Sequence, residues 1–349
     1  VNIMRKPTMH DVARRAGVST GTVSNVLNDP QVVSADKRER VLAAIAHLGY
    51  LRNSLAQNLK SQSSRVIGLC VPHAASAYFT SLIDALEDIA YTRGYEMVQI
   101  LSRHDPEMEY RRVETLLAHR IAGLIIVPSQ SPQRTFDLLD RSRVPAIMVD
   151  RLWPDDRFDY VTMNNSEAMR ATVAGLIARG HRHILYTARY PDLVTTQQRI
   201  AAFEAAGQAA VEATRTTVLV SGEDEIAFGP RLAAALHAPA PPTAVIASNS
   251  VITLWVLRAF RDAGITCPDD VSLVAFDEPV WADVMTPPLS IIRHPSTAIA
   301  ETTWELLMER LEDSRNMQVS PKPRRHVQLP ATLEFRGSVG APRAAASQD

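Results

Sequence analysis

Only two of the 349 residues are cysteine. Cys70 and Cys267 stand alone in apolar, strand-like surroundings with no C-x-x-C, so a disulfide framework and a cysteine-built metal site both lack support. No apolar run approaches the roughly 18 residues of a membrane-spanning helix, and the opening VNIMRKPTMH lacks the apolar core of an export signal. No G-x-G-x-x-G or Walker loop occurs, which leaves nucleotide-driven chemistry unsupported. Charge of one sign is also missing, the net value being −1. That total conceals an asymmetry. Residues 1–60 carry Arg5, Lys6, Arg14, Arg15, Lys37, Arg38, Arg40, Arg52 and Lys60 against Asp11, Asp29, Asp36 and Glu39, a balance of +5, so the remainder carries −6. A basic head on an acidic body is expected where one part meets phosphate and the other does not. At this length, with 46% hydrophobic residues, two or three domains with large cores are expected.

Within the basic stretch, Thr8 and Asp11 have the spacing of a capping box, which predicts a short helix over 9–16 ended by Gly17. Ser19 then caps a second short helix over 20–27, with Val23, Val26 and Leu27 turned inward. Ser34 caps a third, in which Val41, Leu42, Ile45 and Leu48 share a face before Gly49. Two short helices joined by a Gly-containing turn make a helix-turn-helix. The N-terminal part of such a second helix enters the DNA major groove, where each base pair shows a distinct pattern of donors and acceptors. Asn25 can bond adenine bidentately, Thr20 can meet a thymine methyl or an acceptor, and Gly21 permits close approach. Ser19, Thr22 and Ser24 suit phosphate contacts, which fix register without reading sequence.

DVARRAGVSTGTVSNVLN, VSADKRERVLAAIAHLGY, NSLAQNLK and RVIGLCVP, in this order and spacing, resemble the lactose/galactose repressor (LacI/GalR) family of bacterial transcription regulators, and the likeness runs to about Arg336. The resemblance implies that NSLAQNL is a hinge helix that folds in pairs on the operator minor groove. Leu59 would be the wedge that kinks the central base step. It also adds Thr8, Asn28, Asn53 and Ala56 to the expected DNA contacts. Arg52 stands where relatives often have Pro.

From Arg65 onward, short apolar runs alternate with helical periods, the pattern of parallel sheets covered by helices. Helices are expected near 81–93, 108–120, 166–179, 197–206, 227–236 and 252–263, with Gly94, Gly180, Gly207 and Gly264 just past four of them. The resemblance implies a two-lobed, periplasmic-binding-protein-like (type I) effector domain behind the helix-turn-helix head, with crossings near Thr162, Ile291 and Pro323. The expected organisation is a head over 1–51, a hinge over 52–64 and an effector and dimerisation domain over 65–336. Lobe 1 takes about 65–161 and 292–323, lobe 2 about 162–291 and 324–336, and 337–349 form a disordered tail.

Ligands of open α/β sheets sit beyond the carboxyl ends of the strands. That position selects Tyr78, Phe79, Asp150, Arg151, Asn249 and Asp277 as effector contacts, with Asp224 and Trp281 added. Arg199 opens RIAAF, which resembles the family's ligand-clamping RLAGF. Carboxylates with Arg and Asn suit vicinal hydroxyls or a ligand carboxylate. A sugar or sugar acid is expected, while AYF after the first strand resembles the purine repressor and keeps a purine-like corepressor open. Two departures from the family stand out: Asn249-Ser250 replaces a frequent Asn-Asp pair, and Trp255 replaces a small residue.

Other matches lead nowhere. Gly17-Val-Ser-Thr-Gly21 fits a nucleophile elbow, but its Ser lies between two helices rather than after a strand. His181 and His183 lack a third metal ligand, and the sequon Asn164-Asn165-Ser166 means little without secretion. Asp277 and Glu278, adjacent on a strand end, face opposite ways and do not make a glycosidase pair. A transport solute-binding protein would share the two lobes but not the basic head. The chain is expected to be a cytoplasmic, nucleoid-associated bacterial repressor, not an enzyme, with no cofactor or metal. It is expected to act as a homodimer on near-palindromic double-stranded DNA without a membrane partner; the lack of a heptad tail favours the dimer.

Overall fold

The computed structural model describes residues 7–50, 64–316 and 322–343. They fall into two compact units, 1–63 and 64–349. The hinge stretch, with Asn53, Ala56 and Leu59, lies outside the described residues.

The first unit is three helices, α1 (Met9–Ala16), α2 (Thr20–Asn28) and α3 (Ala35–Leu48). Both halves of the Thr8/Asp11 capping box form, and Gly17 and Gly49 end α1 and α3 in the left-handed conformation. Val12, Ala13, Ala16, Val23, Val26, Val41, Ala44 and Tyr50 make one small core. Two expectations are corrected. Leu42 is exposed, because Ala44 with Val41 takes the inward face of α3, and Ser34 occupies the N-cap of α3 without a side-chain hydrogen bond.

The second unit holds two six-stranded sheets of one design. In lobe 1, β1 (Val66–Val71), β2 (Glu96–Leu101), β3 (Gly123–Ile126), β4 (Ala146–Val149), β5 (Asp159–Met163) and β11 (His326–Leu329) run in the order β2-β1-β3-β4-β5-β11, all parallel. In lobe 2, β6 (His183–Ala188), β7 (Arg215–Val220), β8 (Ala244–Ala247), β9 (Ser272–Phe276), β10 (Ser290–Arg293) and β12 (Thr332–Glu334) run β7-β6-β8-β9-β10-β12, with only β12 antiparallel. The central strands β1, β3, β4 and β8 are apolar throughout and β9 is so after Ser272, as burial under helices on both faces requires. The covering helices are α4 (Ala77–Thr92), α5 (Pro106–Ala118), α6 (Gln133–Ser142), α7 (Asn165–Ala178), α8 (Val194–Gln208), α9 (Glu225–Leu236), α10 (Ser250–Asp262) and α11 (Ser296–Arg315). Of these, α6 lies outside the helices expected from sequence.

The chain passes between lobes after β5, between β10 and α11, and between β11 and β12. The third passage is therefore at Pro330 and Ala331, not near Pro323, because residues 326–329 pair with β5 of lobe 1. Nor is 337–343 a loose tail. Ser338 is buried, its hydroxyl donating to the Leu273 carbonyl and accepting from Ser290 N–H, and Gly340 N–H donates to Ser272. Gly207, expected just past a helix, lies inside α8, where a Cβ would come within 2.4 Å of Thr216.

The segment leading into β11 is tied to lobe 1 by a buried ion cluster. Asp159 accepts from Arg310 at 2.8 Å through both oxygens and from Arg325 N–H, while Arg310 also donates to the Lys322 and Pro323 carbonyls. Burial pushes the Asp159 carboxyl up, but the hydrogen bonds and charges of Arg310, Arg325 and Arg324 outweigh it and hold it below the usual range. Its stabilisation is thus present above the ordinary carboxylate value and lost as pH falls through the depressed one. Asp159→Asn leaves Arg310 buried with only Asp313 as counter-charge, and should destabilise lobe 1 by about 3 kcal/mol at neutral pH. Thermal midpoints measured across pH should show the difference from wild type shrinking in acid. A constant difference would contradict this assignment.

Candidate functional site

The two sheets point the carboxyl ends of their strands into one cleft between the lobes, with about 580 Å3 of open space including its mouth. The ends are built alike. Asp150 after β4 and Asp277 after β9 both sit at φ +71°, and their N–H groups donate to Val161 and Ile292 of the neighbouring strands, each at 3.0 Å. Asp tolerates this left-handed conformation better than most residues, and each lobe uses it to turn a carboxylate toward the cleft.

In lobe 2 the carboxylate organises its neighbours. Asp277 Oδ2 accepts from Ser250 N–H at 3.2 Å, and Oδ1 lies 3.1 Å from His294 Nδ1. His294 Nε2 is 3.3 Å from Arg199 Nη2. Arg199 also donates to Asn165 Oδ1 at 2.7 Å and to the Ser248 carbonyl at 3.1 Å, and lies 3.8 Å above the Phe276 ring. Burial raises the Asp277 carboxyl, but His294, the Ser250 amide and Arg199 outweigh it and leave it below the ordinary range. Two contacts join the lobes here: Tyr78 stacks on His294 at 4.2 Å, and Ala77 N–H donates to Ser250 Oγ at 3.1 Å.

The other flank is basic. Arg151, fully buried, donates to the Pro128 carbonyl, meets His104 Nδ1 at 3.1 Å and lies 3.7 Å from Asp150. His104 packs on Tyr190 of lobe 2 at 4.5 Å. Burial first, then the nearby arginines, bring His73 down to about 4 and His104 to about 3, so both are neutral near pH 7. Around the cleft His73 Nδ1, Tyr78 OH, His104 Nε2, Arg151 Nε, Arg189 Nε, Ser248 Oγ and His294 Nδ1 are buried without a hydrogen-bond partner, the last facing Asp277 at contact distance but outside hydrogen-bond geometry. Groups left so are costly unless something else meets them.

In the head, Ser19, Thr20, Gly21 and Asn25 are exposed along the start of α2 and the Thr22 and Ser24 side chains are half-buried. Ser19 Oγ accepts from Thr22 N–H at 3.1 Å, and Asn28 donates to Ser24 Oγ at 3.1 Å. Thr8 is engaged with Asp11.

Known proteins of the same build bear on both units. Residues 8–53 match the bacterial regulatory proteins of the lacI family, and residues 173–339 match the periplasmic binding protein-like domain. The HTH-type transcriptional repressor PurR of Vibrio parahaemolyticus is 30% identical over 88% of this chain and 93% of its own. PurR of Escherichia coli O139:H28 is 30% identical over 90% and 94%. The chain belongs to the LacI family. It is a DNA-binding repressor with an effector-binding domain. The lac repressor dimer bound to operator and the anti-inducer ONPF superposes with a TM-score of 0.79 at 26% identity, covering 97% of this chain and 100% of that one. The regulator CelR in complex with cellobiose gives 0.67 at 25%, covering 95% and 99%.

Of the effector contacts expected from sequence, Tyr78, Phe79, Asp150, Arg151, Arg199, Asn249 and Asp277 line the cleft of this LacI-family chain. Asp224 and Trp281 do not. Asp224 is exposed and caps α9 by accepting from Ile226 N–H, and Trp281 packs against the core under α10. Glu278, beside Asp277, turns away to Arg293 and Arg336. Sequence reasoning missed His73, His104, Arg189, Tyr190, Ser248 and His294, although His73, Arg189, Ser248 and His294 each follow a strand as closely as the residues chosen. His181 and His183 are structural: His181 bridges Thr243 and Gly340, His183 bridges Ala240 and Thr217. Among the described residues no helix is long and apolar enough to cross a membrane, and no His, Cys, Asp and Glu group is arranged to hold a metal.

Because the Ala77 to Ser250 bond spans the lobes, Ser250→Ala should shift the open-to-closed balance of the ligand-free chain by about fivefold, the worth of one net hydrogen bond. Small-angle scattering should report a larger radius of gyration; an unchanged radius would contradict the role of this contact.

Proposed function

We propose that this repressor reads near-palindromic operator DNA as a homodimer, and that a small polyhydroxylated molecule, a sugar or sugar acid, sets its operator affinity from the cleft between the lobes. The observation that carries the effector reading is the set of buried, partnerless polar atoms that line the cleft on both flanks. Such a lining offers directional donors and acceptors to several hydroxyls at once. Support for the dimer comes from the likeness to the lac repressor dimer on operator, over 97% of the chain. Binding would draw the lobes together about their three crossings and order or release residues 52–64, a shift that requires different ligand affinity in the two states.

A second reading, a purine-like corepressor, is favoured by the identity with PurR. Against it, the Tyr78 ring is already stacked on His294 and 6% exposed, so one of its faces is not free to sandwich a flat base. Titrating the complex between the full chain and DNA around its own gene with sugars, sugar acids and purines separates the two. A sugar or sugar acid should change the fraction of DNA bound; a response to purines alone would establish the second reading.

In the head, exposed Thr20, Gly21 and Asn25 form the base-reading surface of the proposal, with Ser19, Thr22, Ser24, Asn28 and Thr8 at or near phosphates. Asn53, Ala56 and Leu59 act in the minor groove. Asn25→Ala should cost about 1–3 kcal/mol on the operator and little on random DNA. Equal losses on both would sink the base-reading role. With Leu59→Ala, DNA bending should fall; unchanged bending would refute the wedge.

A further inference from the structure

Resting on the reading of the cleft as an effector site, we infer that the effector carries an anionic group, a carboxylate or phosphate, received by Arg189 with His73 and His104 at the basic flank. The argument starts from charge. The cleft is lined by three arginines, Arg151, Arg189 and Arg199, and by two carboxylates, Asp150 and Asp277. Each of the other charges is provided for. Arg199 has three hydrogen-bond partners, Asp277 has His294 and the Ser250 amide, and Arg151 has the Pro128 carbonyl, His104 and the nearby Asp150. Arg189, half-buried, has no carboxylate within 4.0 Å among the described residues, and its Nε, like that of Arg151, is buried without a hydrogen-bond partner. Its guanidinium lies instead over the rings of Tyr190 and Trp255, at 5.0 and 5.3 Å. These rings support the cation without neutralising it.

The neighbouring groups complete a receptor for an anion. His73 and His104 lie edge to face at 5.3 Å, and His73 Nδ1 and His104 Nε2 are both partnerless. Both imidazoles feel the positive charge of Arg189 and Arg151 and are neutral because of it and of burial, so each can donate one N–H while the arginine supplies the charge. Arg189 is half-buried, so water solvates part of its charge in the unliganded cleft; a neutral polyol that covers it removes that water without replacing the counter-charge, whereas an anionic group supplies it. The opposite flank, with Asp277 and Arg199, remains for hydroxyls. Arg189 thus separates acidic or phosphorylated sugars from their neutral counterparts. Trp255, whose ring the guanidinium covers, is part of the same arrangement.

The test uses the full chain as wild type, Arg189→Gln and Arg189→Lys. In thermal unfolding at constant ionic strength, sodium acetate or sodium phosphate replacing sodium chloride should raise the wild-type midpoint. It should leave Arg189→Gln unmoved and give Arg189→Lys part of the wild-type gain; which salt acts tells carboxylate from phosphate. Calorimetry then compares neutral and anionic partners: glucose with glucuronate and a hexose phosphate, galactose with galacturonate. The anionic member should bind the wild type about 10- to 100-fold more tightly than its neutral partner, an advantage lost in Arg189→Gln. Equal salt protection of wild type and Arg189→Gln overturns the inference, and so does a neutral sugar that binds both equally well, although that result leaves the sugar reading standing. Binding of adenine or hypoxanthine to the exclusion of every sugar overturns both. Should no sugar or purine bind, the salt comparison alone decides.

Discussion

The carboxylate of Asp277 is the point on which the effector domain turns. It is buried and held at a left-handed φ by a hydrogen bond from its own amide to Ile292, and it receives the first amide of α10 at Ser250. It also lies against His294, one residue beyond the end of β10, where the chain leaves lobe 2 for α11. Ser250 takes an amide of lobe 1, and His294 is stacked by Tyr78 of lobe 1. One charge therefore connects a strand end, a helix start, a crossing strand and the facing lobe. A ligand that bonds to this carboxylate, or alters how His294 and Arg199 satisfy it, acts directly on the contacts that hold the lobes together.

The two lobes repeat one strand order, and in each the fourth strand is followed by an Asp at the same backbone angle. The chemistry laid over that repeat is not symmetric. Lobe 1 backs its Asp150 with a buried arginine and two neutral histidines, whereas lobe 2 sets Asp277 against a histidine that is itself bonded to an arginine. A cleft with two unlike ends orients its occupant, and orientation is what converts binding into a defined lobe closure.

Much of this was legible from residues alone. The helices of the head follow from two caps and two glycines, because capping and left-handed conformations are local matters. The alternation of apolar runs with helical periods gave both sheets, the rule of strand carboxyl ends found six cleft residues, and the likeness of RIAAF to the family's RLAGF found Arg199. What escaped depended on long-range geometry. That residues 326–329 pair with β5 rather than lobe 2 is decided by pairing across more than a hundred residues of chain, and Asp224 looked functional only because its role as a helix cap could not be seen. His294 and Arg189 carry no motif; they matter through what they face. Likewise Gly207 has the place of a helix terminator, but its lack of a side chain serves contact with Thr216.

The most direct test of this account is a pair of operator-binding isotherms, for wild type and Asp277→Asn, with and without the compound that shifts wild-type binding. Asparagine preserves the shape and removes the charge. The account predicts that the variant retains specific operator binding without the compound, and that the concentration needed for the shift rises by at least about tenfold, the loss of one charge-assisted hydrogen bond. An unaltered response would contradict it, and would place control of the repressor outside this cleft.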